Sequence, residues 1–140
     1  MNSDSAHSEL WEAYRATSYE ALDGDAVAWR VRIDELSPVA GPMAYITADN
    51  PRSKKLSADK NHRRRAELRA ELESLPVVVR PGKSVADDGD WPVELGFWIR
   101  PIECDTAREL AARYGQNAFV FVDEKRRVHL VASRSEYERR

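Results

Sequence analysis

The chain has 140 residues, of which 42% are hydrophobic and 33% charged, a composition typical of a globular domain and not of a disordered or fibrous chain. A chain of this length buries about two thirds of the surface that its unfolded form exposes, so it can fold without a disulfide or a metal. The formal net charge of −2 argues against a strongly basic nucleic-acid-binding protein. With one cysteine, no apolar stretch near the roughly 20 residues of a membrane span and no signal-peptide pattern, we expect a cytoplasmic protein that does not enter a membrane.

The charge is distributed unevenly along the chain. Residues 1–50 carry a net charge of −6, residues 51–80 carry +5 and residues 81–140 carry −1. The basic segment could attract an anion, or it could neutralise the acidic first third of the folded chain. Runs of charge on helices are usually solvated surfaces, which favours the second interpretation.

The first half of the chain contains one predicted helix and two predicted strands. A short N-terminal helix is predicted over Ser8–Ser18, where apolar residues share one face, and Asp23-Gly24-Asp25 ends it. Alternation of apolar and polar residues from Val27 to Ile33 predicts a strand with one buried face. The apolar run Met43–Ala48 predicts a central strand, which ends at the turn sequence Asp49-Asn50-Pro51.

The longest predicted helix runs from Ser57, a suitable N-cap residue, to about Ser74, before a proline. A short strand is predicted at Val77–Val79, followed by a polar loop over Arg80–Asp90. Leu95–Arg100 is predicted to be a further strand.

The last third of the chain contains a helix and a hairpin. Apolar spacing predicts a helix over Thr106–Tyr114, with Asp105 as its cap and Gly115 as its left-handed terminating residue. Ala118–Val122 and Arg127–Val131 flank four polar residues and are predicted to form a β-hairpin. The tail from Ser133 is predicted to be a short, frayed helix.

These elements predict a single α+β domain over residues 1–140, with an ordered core at about 8–132 and a short tail at 133–140. We expect a mainly antiparallel or mixed sheet of about five or six strands, because two predicted strand pairs lie close enough in sequence to form hairpins. Two main helices are expected to pack on this sheet, in addition to the short N-terminal helix.

The core-facing stripe of the longest helix becomes polar toward its N-terminus. Its leucines share a face with Arg64 or Arg65, then with Asn61 and Ser57. A polar group that points inward needs hydrogen-bond partners, and the candidates are the loop 50–53 and a carboxylate.

Two interpretations of this polar stripe remain open. In the structural one, Asn61 caps the loop 50–53 and Arg64 forms a salt bridge with Glu94. In the functional one, these groups line a pocket for a small anionic ligand near a helix N-terminus, where amide donors favour negative charge.

Five short motifs follow one another along the chain: Leu10–Thr17, Ala44–Ser53, Asn61 with Arg64, Trp91 with Glu94, and Tyr114–Ala118. This ordered set resembles the bacterial family catalogued as domain of unknown function 3293, and the resemblance covers nearly the whole chain. It implies a small single-domain protein with no assigned activity. It also implies recurrent polar positions at Asn50, Ser53, Asn61, Arg64, Trp91, Glu94, Gln116 and Asn117.

Several chemistries are not supported by the sequence. The three histidines lie far apart without paired ligand spacing, so we expect no metal site, and no motif for a nucleotide or another cofactor occurs. Cys104 has acidic neighbours that would raise its pKa, which is unfavourable for a nucleophile.

The leading hypothesis is therefore a domain that binds a small anionic ligand or an acidic segment of a protein partner. The predicted ligand-binding residues are Asn50, Arg52, Ser53, Asn61, Arg64, Trp91, Glu94, Gln116 and Asn117. One alternative is an enzyme with Glu94 as general acid/base and Arg64 or Arg52 as an anion clamp. Another is an adaptor that binds protein or, less favoured by the net charge, nucleic acid through the basic face of the longest helix. The oligomeric state stays open.

Overall fold

The computed structural model describes residues 3–89 and 91–133, with only the backbone described for residues 3–7. The predicted tail helix therefore lies outside the described residues. Within them the chain forms three α-helices, one short 3-10 turn and seven β-strands. The elements are α1 (Ser3–Arg15), β1 (Thr17–Asp23), β2 (Ala26–Val31), β3 (Met43–Thr47), α2 (Ala58–Glu73), β4 (Val78–Ala86), β5 (Glu94–Arg100), α3 (Cys104–Arg113), β6 (Ala118–Val122) and β7 (Val128–Ala132).

The seven strands form one antiparallel sheet in the order β2-β1-β4-β5-β3-β6-β7. The predicted α+β class and antiparallel character are confirmed, but the sheet has seven strands instead of five or six. β3 is a central strand, as predicted, and all five of its residues are buried.

The sheet is curled so that the segment after β2 reaches the start of β7 at the opposite edge. The amide of Asp34 donates to the carbonyl of Val128 at 3.0 Å, and the amide of Ser37 donates to the carbonyl of Arg126 at 2.7 Å. Curling gives the sheet a concave face, which is filled largely by apolar side chains such as Met43, Trp98 and Val120.

Helices cover both faces of the sheet. α2 and α3 pack on one face, where Leu68, Leu72 and Leu110 contact alternate residues of β3, β5 and β6. α1 packs on the other face, where Trp11 contacts Ala118 and Ala132. Because side chains alternate along each strand, the central strands contribute to both cores.

Most of the predicted elements in the second half of the chain are confirmed. Ser57 is the N-cap of α2, and its side-chain oxygen accepts a hydrogen bond from the amide of Lys60 at 3.3 Å. The predicted hairpin is formed by β6 and β7, and Gly115 has a left-handed φ of 73° after α3. The predicted cap of α3 is wrong, because Glu103 holds the N-cap position and Asp105 lies in the first turn.

β1 was not predicted, and the N-terminal helix ends at Arg15 instead of Ser18. The residues of β1 include Glu20, Ala21 and Asp23, whose residue types are depleted in strands. They are nevertheless extended because β1 pairs with β2 on one side and β4 on the other. Tertiary pairing has therefore overridden local propensity.

The predicted loop after Val79 is also wrong, because β4 continues to Ala86 through Pro81 and Gly82. The β1–β4 register ends with Ala21 opposite Gly82, so the ladder stops before Pro81, which has no amide hydrogen. Gly82 fits because a Cβ atom there would lie 2.9 Å from both the Tyr45 and Trp98 rings. The two residues that suggested a loop thus suit their places in the sheet.

Candidate functional site

The turn after β3 is fixed by two reciprocal hydrogen bonds between Asn50 and Asn61, which form an amide pair. Asn50 has a left-handed φ of 47°, and its backbone N–H donates to the side-chain oxygen Asn61 Oδ1 at 2.9 Å. Asn61 Nδ2 donates in return to Asn50 Oδ1, also at 2.9 Å. Both asparagines are buried, so each satisfies polar groups that would otherwise be stranded. These contacts agree with the structural interpretation, in which Asn61 caps the loop 50–53.

Asn50 also joins this turn to β5. Its Nδ2 atom donates to Glu94 Oε2 at 2.8 Å, while its Oδ1 atom accepts a further bond from the amide of Leu56 at 2.9 Å. One asparagine therefore connects the end of β3, the segment that precedes α2 and the start of β5.

The expected ion pair between Arg64 and Glu94 is wrong. Arg64 donates from Nε to the carbonyl of Ala48 at 2.7 Å and from Nη2 to the carbonyl of Tyr114. Arg64 thus links the ends of β3 and α3, whose last carbonyls need donors from outside the helix. Gln116 adds to this link, because its Nε2 atom donates to the carbonyl of Asp49 at 3.0 Å.

The ion pair in this region is formed by the next arginine. Arg65 Nε lies 2.8 Å from Asp49 Oδ1, and Asp49 Oδ2 accepts a hydrogen bond from the amide of Leu95 at 3.2 Å. Asp49 is buried, with 3% of its surface exposed, so both of its oxygens are engaged in holding β3, α2 and β5 together.

A cavity of 420 Å³ lies beside this network, between α1 and the concave face of the sheet. Its walls are mostly apolar or aromatic, and they include residues from α1, from the five strands β1, β3, β4, β5 and β6, and from the loop before β5. This volume falls in the range of small-molecule sites, and such sites usually combine apolar walls with a few polar groups.

Glu94 is the polar group that stands out in this cavity. Its Oε2 atom accepts hydrogen bonds from Asn50 Nδ2 at 2.8 Å and from Trp91 Nε1 at 3.0 Å. Among the described residues, none donates to its Oε1 atom. Burial raises the pKa of the Glu94 carboxyl, against the lowering effect of the two hydrogen bonds, and the nearby Asp49 carboxylate raises it further.

Three hydroxyl groups on the sheet side of the cavity already donate their protons to backbone carbonyls. Tyr45 Oη donates to the carbonyl of Glu94 at 3.2 Å, Tyr19 Oη to that of Tyr14 at 2.9 Å, and Thr47 Oγ1 to that of Leu95 at 2.6 Å. Burial raises the pKa of Tyr45 and that of Tyr19 well above the usual range, so both stay protonated.

The structure brings six of the nine predicted binding residues to the cavity wall: Asn50, Ser53, Trp91, Glu94, Gln116 and Asn117. The other three do not line it. Asn61 and Arg64 contact the turn outside the cavity lining, since Asn61 bonds Asn50 and Arg64 bonds the carbonyl of Ala48. Arg52 is exposed. The basic side chains Lys60 and Arg63 of α2 are also exposed.

Sequence reasoning missed the tyrosines that line the cavity. Tyr14 was predicted as part of the apolar face of α1, and Tyr45 as part of a central strand. Tyr19 lies in the strand that was not predicted. Side chains alternate between the two faces of a strand, so Tyr45 and Thr47 lie on the same face of β3. This alternation is the sequence pattern from which these two lining residues could have been predicted together.

A larger groove of 790 Å³ runs beside β7, and none of the predicted binding residues lines it. Two of its charged side chains are paired with carboxylates: Arg15 with Asp34 at 3.2 Å and Arg108 with Asp105 at 2.7 Å. The smaller cavity is therefore the better candidate site, because its wall contains the half-buried carboxylate of Glu94.

The described residues contain neither a cluster of metal-ligating side chains nor a candidate membrane-spanning helix. No group of three or more His, Cys, Asp or Glu residues in this part of the chain could hold a metal ion. None of the helices described is both long and apolar enough to cross a membrane.

Residues 46–119 match the model of a family described as "Protein of unknown function (DUF3293)", and since they are more than half of the chain, the protein belongs to this family. No curated protein and no solved structure matched the chain. The matched segment contains the turn at Asn50, α2, Glu94 and Gln116, whereas α1, which forms the opposite wall of the cavity, lies before it.

The amide pair generates a prediction about stability. Asn61→Ala should lower the free energy of unfolding by about 2 kcal/mol, because it leaves the buried amide of Asn50 without its acceptor. Urea denaturation would measure this loss. His62→Ala, at the exposed neighbouring position, is the control and should change stability by less than about 0.5 kcal/mol. Equal effects of the two substitutions would contradict a supporting role for Asn61.

The raised pKa of Glu94 generates a prediction about pH. The folded protein binds the Glu94 proton more tightly than the unfolded chain, so this group should favour folding at low pH. Its contribution is lost as pH rises from the ordinary glutamate pKa through the raised value. Glu94→Gln keeps an acceptor for Asn50 and Trp91 but cannot ionise, so the variant should gain stability relative to the parent across that interval. Urea denaturation of the parent and of Glu94→Gln at several pH values would measure both free energies of unfolding. If the pKa of Glu94 were unshifted, the difference between the two proteins would be the same at every pH.

Proposed function

We propose that this protein is a small-molecule-binding domain whose ligand occupies the cavity between α1 and the sheet. The observation that carries the proposal is the carboxylate of Glu94, which lies in a mostly apolar cavity with one oxygen bonded to protein donors. No described residue donates to the other oxygen, and that oxygen is not among the fully buried atoms, so a donor group of a ligand can reach it.

The framework around the cavity also supports this function. Asn50, which bonds Glu94, is itself held by Asn61 and by the amide of Leu56. Asn117 Nδ2 donates to Ser53 Oγ at 3.1 Å and connects the far side of the wall to the same turn. A binding group that is fixed before the ligand arrives loses little conformational entropy on binding.

A fragment screen by NMR on the full chain tests this proposal. Bound fragments should shift the indole N–H signal of Trp91 and the side-chain amide signals of Asn117, which line the cavity. The indole signal of Trp29, which is not in the lining, serves as the internal reference. Fragments in such a cavity are expected to bind at about millimolar affinity or tighter.

A pair of matched variants of α1 locates the binding. Ala13 is exposed and lines the cavity mouth, so Ala13→Phe should block the entrance and abolish the Trp91 shift. Glu12→Phe places the same side chain at the neighbouring exposed position outside the lining and should leave binding unchanged. Binding that survives equally in both variants, or a screen without hits at the Trp91 signal, would refute the proposal.

A second candidate function is an enzyme in which Glu94 is the general acid/base. It is favoured by the raised pKa of a carboxyl group on a cavity wall, which brings that group closer to neutral pH. The arginine clamp of the original hypothesis has less support, because neither Arg52 nor Arg64 lines the cavity.

Solvent exchange tests the enzymatic candidate. If Glu94 transfers protons in the cavity, the protein should accelerate the replacement of the hydrogens next to the carbonyl of 4-phenyl-2-butanone by deuterium in D₂O, as seen by NMR. Glu94→Gln should abolish the acceleration. Identical exchange rates with the parent, with the variant and without protein would reject this function.

A further inference from the structure

We propose that the ligand of this cavity is a small organic cation, a protonated amine or a guanidinium, whose N–H groups bind Glu94 Oε1, the carboxylate oxygen to which no described residue donates. This inference rests on the proposed binding function and specifies its ligand class. It replaces the anionic ligand that the basic segment of the sequence suggested.

The charges around the cavity support a cation. Among the residues described, the cavity is lined by two carboxylate side chains, Glu94 and Asp88, and by no lysine, arginine or histidine. The nearby guanidinium of Arg64 is bonded to backbone carbonyls, and that of Arg32 is bonded to Asp87 at 2.8 Å. The Glu94 carboxylate would repel an anion in the cavity, and none of the described lining residues is a lysine, arginine or histidine that would offset this repulsion.

The hydrogen-bonding capacity of the wall supports a ligand rich in donors. Tyr45, Tyr19 and Thr47 have each committed their single hydroxyl proton to a backbone carbonyl, so these groups can only accept further hydrogen bonds. Glu94 Oε1 is an acceptor as well. An ammonium has three donors and a guanidinium has five, whereas a carboxylate ligand has none.

The aromatic side chains also favour a positive charge. Trp91 and Tyr14 line the cavity together with Tyr19, Tyr45 and Phe119, and the faces of such rings attract cations. One cation already lies at Trp91, because the ammonium nitrogen of Lys55 is 5.2 Å from its ring centroid, so the tyrosine rings carry this argument. The causes of the upward pKa shift of Glu94 are burial and the Asp49 carboxylate, and no cation opposes them.

Three ligands that share a phenyl ring and differ in their end group test the inference. We would titrate phenethylamine, 2-phenylethanol and 3-phenylpropanoate into the full chain at pH 7 and follow the Trp91 and Asn117 signals. Phenethylamine should bind at least about tenfold more tightly than the other two, because it alone carries a positive charge and can form an ion pair with Glu94. Glu94→Gln should lower the affinity for phenethylamine by a similar factor and leave the affinity for 2-phenylethanol unchanged. The comparison among ligands on the parent protein needs no variant and stands whether or not Glu94→Gln folds.

The outcomes separate this inference from the proposed function. If the alcohol or the carboxylate binds as tightly as the amine, and Ala13→Phe abolishes that binding, the cavity is a ligand site but the cation inference is overturned. If Glu94→Gln folds and binds the amine as tightly as the parent does, the inference is overturned as well. If none of the three ligands binds and the fragment screen gives no shift at Trp91, both proposals fail.

Discussion

The reciprocal amide pair of Asn50 and Asn61 is the interaction on which the candidate site depends. It holds Asn50 in a left-handed conformation in the turn that follows the central strand β3, and from this turn the Asn50 side chain donates to Glu94. Without Asn61, the backbone N–H of Asn50 would lose its acceptor, and Asn50 Oδ1 would keep only the hydrogen bond from the amide of Leu56. The position of the Glu94 carboxylate at the cavity is thus set from α2, through Asn61 and Asn50.

The polar residues around the cavity divide into supporting and facing groups. Asn61 donates to Asn50, and Arg64 donates to the carbonyls of Ala48 and Tyr114. These donors therefore have a structural role. Glu94 faces the cavity with one oxygen that no described residue bonds. The basic segment of the chain therefore builds the support for a site whose own lining is acidic. This arrangement explains why segment charge alone is a poor guide to ligand charge, since it does not show which groups are already paired.

Much of the fold could be predicted because it follows local patterns. The apolar stripe of α2, the run of β3 and the hairpin of β6 and β7 carry their periodicity within a few residues. The path of β4 through Pro81 could not be predicted locally, because it depends on the end of the β1–β4 ladder. In the same way, sequence alone placed six residues of the cavity wall, but Tyr19 requires knowledge of strand pairing.

The sequence by itself determined the α+β class, the inward polar turn of the longest helix and the group of residues, Asn50, Asn61 and Glu94, that meet there. These follow from side-chain spacing and from the need of each buried polar group for a partner. Only the tertiary structure decided which partner each group takes: backbone carbonyls for Arg64, Asn50 for Asn61, and an open cavity for one oxygen of Glu94. Pairing between distant segments depends on three-dimensional proximity, which the curl of the sheet and the packing of α1 create and which no local pattern specifies.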